Sequence, residues 1–138
     1  MKRLFAPLLV IVALIGLALW GAWQKTPRGE VQAIPCENPM AGCAFLHEGL
    51  PATLRFSVQP EALKPFVLSI ASPRLREASV SFQMVGMDMG FNRYDLRQDA
   101  EGNWSARVTL PVCTVSRVDW TAEITLDGRH YALAFDTR

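Results

Sequence analysis

The chain is short of the residues that most catalytic and metal centres use. Its 138 residues include only two histidines, His47 and His130, and three cysteines, Cys36, Cys43 and Cys113. The two histidines are far apart, which removes the helical His-x-x-x-His pattern of zinc proteases. No Cys-x-x-Cys is present, so a thioredoxin-like redox centre is disfavoured. No serine lies in a Gly-x-Ser-x-Gly elbow, and no glycine-rich loop of the phosphate-cradling kind occurs. With no nucleophile constellation, the chain reads as a non-enzyme. Charge of one sign is also lacking. From Lys25 onward twelve basic residues stand against thirteen acidic ones, a formal net charge of −1. Nucleic acid therefore has no electrostatic footprint to bind. Internal repeats and low-complexity segments are absent.

One further absence is local. Leu4 to Trp23 carries no charge. As a helix this run would be about 30 Å long, the thickness of a bilayer's hydrocarbon core. Lys2 and Arg3 precede it, favouring a cytoplasmic N-terminus, and Trp20 and Trp23 stand at its far end, where indole rings prefer the interface. The rival reading is a cleaved signal peptide. The stretch is long for that, and no good small-x-small site precedes Gln24. Either reading exports the remainder. The expectation is a single-pass inner-membrane protein with its C-terminal domain in the periplasm. Residues 1–23 would be the anchor, 24–41 a linker containing Pro27, Gly29 and Pro35, and 42–138 the folded domain.

Within that domain apolar residues alternate with polar ones. Leu54, Phe56 and Val58 oppose Thr53, Arg55 and Ser57. Val80, Phe82 and Met84 oppose Ser79, Ser81 and Gln83. Trp104, Ala106, Val108 and Leu110 form a third set, and Val118, Trp120, Ala122, Ile124 and Leu126 a fourth. Period two predicts half-buried strands. Shorter strands are expected at 43–48, 66–71, 94–98 and 129–136. Asp127-Gly128 reads as a two-residue hairpin turn, and Asp99-Ala100-Glu101-Gly102 as a longer one. Only residues 60–65 have room for a helical turn. Seven or eight short antiparallel strands predict an all-β fold, an immunoglobulin-like or cupredoxin-like β-sandwich.

All three cysteines belong to the exported part, where at most one bridge can form and one thiol is left over. Cys36–Cys43 closes a small loop, and Cys43–Cys113 would staple two distant strands. Both pairings are preferred to Cys36–Cys113. A staple helps a small exported domain with a limited core.

Three of the five methionines fall in Met84-Val85-Gly86-Met87-Asp88-Met89-Gly90. Thioethers are soft ligands that suit Cu(I). Met84 keeps the inward parity of Val80 and Phe82, so it doubles as core filler. Met87 and Met89 fall in a glycine-bracketed loop and either hold Cu(I) or plug the open end of the sandwich. Asp88 is expected as a turn residue that also attracts a cation. Two thioethers want a further donor, and Met84, His47, Met40 or Cys113 would complete the set. His47 and His130 otherwise read as solvated residues near strand ends.

The segment Val80-Ser81-Phe82-Gln83-Met84-Val85-Gly86-Met87-Asp88-Met89-Gly90, behind one apolar N-terminal run, resembles the FixH and YtkA-like group of membrane-anchored exported proteins. In that group a strand ends in a short methionine- and glycine-rich turn. The resemblance implies a β-sandwich associated with copper delivery or cytochrome oxidase assembly. It implies soft-ligand roles for Met87 and Met89, with an oxidase subunit or another copper carrier as partner. The alternative expectation is a module without metal that contacts a membrane protein through the methionine loop.

Overall fold

The alternating segments do pair as strands, and they build two five-stranded sheets packed face to face. The computed structural model describes residues 2–24, 29–87, 89–111 and 118–138. Among these residues one helix, α1 (Lys2–Gln24), comes first, followed by ten strands. These are β1 (Gln32–Ala33), β2 (Cys43–His47), β3 (Leu50–Phe56), β4 (Phe66–Ala71), β5 (Ala78–Met84), β6 (Arg93–Asp95), β7 (Arg97–Gln98), β8 (Trp104–Val108), β9 (Asp119–Leu126) and β10 (Arg129–Asp136). One sheet runs β1-β10-β9-β5-β6 and the other β2-β3-β4-β8-β7. All neighbours are antiparallel except β1, which lies parallel to β10.

The core lies between the sheets. Inward residues such as Leu54, Leu68, Ile70, Val80, Ile124 and Leu133 are buried. Phe56, Phe66, Phe82 and Phe135 interlock across the two sheets, with ring centroids 5.2 Å apart for Phe56–Phe66 and Phe56–Phe135. Tilted and edge-on contacts of this kind suit the aromatic quadrupole. Phe45 and Tyr131, 5.2 Å apart, make a second inter-sheet contact.

The turns follow their sequences. Asp127 (φ 47°) and Gly128 (φ 80°) both take positive φ, as a type I′ hairpin requires. At the other hairpin, Asp99 Oδ1 accepts the N–H groups of Glu101 and Asn103.

Several expectations change. Val58 and Val118 continue the alternation but stand exposed just beyond the ends of β3 and β9. The expected strand at 94–98 divides at Leu96. Its two parts, β6 and β7, belong to different sheets, and buried Leu96 donates its N–H to Ala78 C=O at the crossing. Residues 60–65 form a turn through Lys64 N–H to Glu61 C=O, with Leu63 at φ 62°, and no helix. Within the expected linker, Gln32–Ala33 joins the sheet and Ile34 is buried.

The cysteine pairing is Cys36–Cys43, with Cα atoms 5.2 Å apart. The described apolar side chains of α1, among them Leu9, Leu17 and Trp20, are exposed. Among the described residues no helix is long and apolar enough to cross a membrane.

Candidate functional site

β5 ends in the methionine turn. Met87 donates its N–H to Met84 C=O at 3.1 Å, and the two residues form an isolated antiparallel bridge. Gly86 sits at φ 76°, the positive value that the third position of a type II turn demands. Met84 is 4 % exposed and points into the core, as its parity implied. Met87 and Met89 are half-buried and pack against the edge of that core. They lie between the two roles foreseen for them, neither sealed inside nor fully in solvent. Asp88 lies outside the described residues.

The loop is pinned by a residue whose role the sequence did not signal. The Asn92 side chain accepts the Phe82 N–H at 2.6 Å through Oδ1 and donates to the Phe82 C=O at 2.8 Å through Nδ2. β6 pairs with β5 only over Ser79–Ser81. The amide therefore stands in for the missing strand at Phe82. It also fixes where the chain returns after the turn. Between Gly90 and Asn92, Phe91 is 94 % exposed, and Val85 on the turn itself is 51 % exposed.

His47 is elsewhere. It is 2 % exposed, which corrects the expectation of a solvated residue. Its place in β2 has the same inward parity as Cys43 and Phe45, and that signal was available in the sequence. Nδ1 shares a 2.8 Å hydrogen bond with the Tyr131 hydroxyl, and Nε2 lies 3.4 Å from Asp127 Oδ2. Asp127 Oδ1 accepts the N–H groups of Arg76 and Glu77, both at 3.0 Å. Burial pushes the Asp127 carboxyl up. The Glu77 and Arg76 amides and then His47 outweigh that, and the carboxyl lies below its ordinary value. Burial also raises the Tyr131 hydroxyl above its ordinary value. With Asp127 ionised, Nε2 carries the proton it donates. The cluster ties β2 of one sheet to the β9–β10 hairpin of the other.

This cluster and the methionine turn occupy opposite ends of the sandwich. Asp127 follows Leu126, which pairs with Ala78 at the start of β5, while Met84 at its end pairs with Trp120. The six steps between Ala78 and Met84 span about 20 Å at ordinary strand rise. His47 and the methionines are therefore not brought together. His130 is half-buried, with Nδ1 3.2 Å from the Thr125 hydroxyl. Cys113, the cysteine left over from the bridge, lies outside the described residues. Among the described residues no group of three or more His, Cys, Asp or Glu side chains could hold a metal ion.

Comparison with known proteins finds no match: no family model, no curated protein and no solved structure matches the chain.

Proposed function

We propose that this is a membrane-anchored periplasmic protein that holds Cu(I) at its methionine turn and passes it on, as a chaperone or accessory factor in cytochrome oxidase assembly. One observation carries the reading. Met84 and Met87 close a tight turn at the end of β5, Met89 follows just beyond it, and Met87 and Met89 are only partly buried. The donor set fits the ion, since thioethers select Cu(I) over harder cations. Few and neutral ligands make for weak coordination, which suits handover. The partner is an oxidase subunit or another copper carrier, whose own donors would take the ion.

The anchor reading rests on the uncharged run Leu4–Trp23, which is longer than the stretch of α1 whose side chains are described. It also supplies an orientation. β1 lies parallel to β10 and pairs with Tyr131 and Ala132, so the chain arrives at the His47 end. The methionine turn then faces away from the bilayer, toward partners in the periplasm.

The test is a Cu(I) titration of the protein against a competing chelator. The expected result is saturable binding that is lost in Met87→Ile plus Met89→Ile. Absence of binding, or binding unchanged in the double variant, would overturn the reading.

A second reading has its own observation. Phe91 and Val85 expose apolar surface beside the turn, and methionine-rich surfaces adapt well to partners. On that reading the loop is a contact surface without metal. A Phe91→Ser variant and the methionine double variant would then both lose the membrane-protein partner in a pull-down, and a double variant that kept its partner would count against this reading.

A further inference from the structure

β10 has an outer edge that its neighbour covers only in part. β1 pairs with Tyr131 and Ala132 and stops. In an antiparallel pair, every second residue points its N–H and C=O away from the partner strand. Two bonds set the phase along β10. Ala132 C=O accepts the Ile34 N–H at 2.8 Å, and Asp136 C=O accepts Gln59 Nε2 at 2.7 Å, both on the side away from β9. Ala134 lies between them in the same phase. Neither its N–H and C=O nor the N–H of Asp136 has a hydrogen-bond partner among the described residues.

The sequence explains why the edge stays open. Ile34 is the last residue of this segment with a main-chain bond to β10. The Cys36–Cys43 bridge then draws the chain over to β2 in the other sheet. The fold treats its other gap differently, because at Phe82 both halves of the Asn92 amide fill the place of a strand. At β10 a single amide hydrogen of Gln59 does so, and only at the far end.

The open edge is the floor of a formed groove of ≈ 530 Å³. One wall is the disulfide loop, with Glu37 and Met40. The other is the segment from Phe56 to Pro60. The Phe56 N–H donates to Pro39 C=O at 3.0 Å and ties the walls together. The charged side chains lining the groove are Glu37 and Asp136, both acidic and both exposed.

We propose that this groove docks an extended segment of a partner polypeptide carrying basic side chains, added as a strand to the open half of the β10 edge. Main-chain hydrogen bonds to Ala134 and Asp136 would supply the affinity, as in other strand-addition modes. The acidic lining would select the sequence. The bound strand would meet Pro35 at one end, and at the other it would displace the Gln59 amide from Asp136 C=O. The site is separate from the methionine turn and does not depend on copper.

The experiment uses the full chain in detergent and a capped hexapeptide of alternating valine and lysine, followed by amide exchange and fluorescence anisotropy. The expected result is saturable binding with new protection at the Ala134 and Asp136 amides. One main-chain hydrogen bond contributes about 1 kcal/mol, so methylating the peptide's backbone nitrogens should weaken binding about tenfold or more. Asp136→Lys should weaken it through charge, and Gln59→Ala should strengthen it. Ala134→Pro removes the Ala134 N–H donor, and the methylated peptide tests the complementary bonds, from peptide N–H groups to the C=O groups of Ala134 and Asp136, without altering the protein's fold. Equal binding of the methylated peptide, no saturable binding, or protection elsewhere would overturn the proposal. Ala134 protection that rises with protein concentration in the absence of peptide would place a second copy of the chain there, and would overturn it as well.

Discussion

Replacing Asn92 by alanine should loosen the methionine turn while leaving every methionine in place. The magnitude follows from the two bonds the side chain makes to Phe82. Each joins a part-buried backbone group of Phe82, one through its N–H and one through its C=O. If water reaches the vacated groups, each lost bond costs about 0.5–1.5 kcal/mol, and a group left orphaned costs about 1–3 kcal/mol. A total of about 2 kcal/mol is expected. Local opening free energies are read directly by amide exchange. Exchange at the Phe82 amide should therefore accelerate about 30-fold, since 1.4 kcal/mol is tenfold. Asn92→Asp should behave similarly, because a carboxylate can accept the N–H but cannot donate to the carbonyl. The β9–β10 hairpin at the far end of the sandwich should exchange as before. If Phe82 exchanges within about twofold of the parent in both variants, the amide is not standing in for a strand and the reasoning fails.

The carboxyl of Asp127 lies below its ordinary value in the folded state, so its ionisation favours folding. That contribution is fully present above the ordinary carboxylate range and is lost as pH falls through the depressed value. Asp127→Asn keeps a residue that tolerates the hairpin's positive φ but removes the charge. Its stability deficit in urea unfolding should shrink as pH drops toward the acid limb, and a deficit independent of pH would contradict this. Opening the Cys36–Cys43 bridge, seven residues apart in sequence, should cost about 2.5 kcal/mol by the chain-entropy treatment. The comparison is Cys36→Ser plus Cys43→Ser against the parent in denaturant, and equal midpoints would refute it.

The strands most legible in the sequence were those buried on one face along their whole length. β4, β5 and β10 begin and end where their alternation or turn residues place them. Where alternation outran the strands, as at Val58 and Val118, the apolar side chain stayed in solvent. β1 was illegible because two residues carry no period, and it exists only through its pairing with β10. The division at Leu96 is likewise a property of the two sheets. The residue is apolar and inward on either reading, and only the Ala78 carbonyl decides where the chain crosses.

The candidate site was legible in part. The glycine after Val85 announced a turn, and Met84 took its inward place from parity. That His47 would lie at the other end was hidden, because strand order and not sequence distance sets which ends meet. Its burial was readable, since it shares the inward face of Cys43 and Phe45. Its partners Tyr131 and Asp127 lie more than eighty and eighty residues on respectively, and nothing local points to them. Asn92 gives no signal at all, because an asparagine after glycine and phenylalanine reads as an ordinary loop residue.

The most direct measurement follows the ε-methyl groups of the methionines by NMR while Cu(I) is added to the protein under reducing conditions. Shifts should appear at Met87 and Met89, with a smaller change at buried Met84 and none at Met40 in the disulfide loop. Unchanged methyl signals at Met87 and Met89, or shifts confined to Met40 or to the His47 ring, would contradict the assignment of the turn as the Cu(I) site.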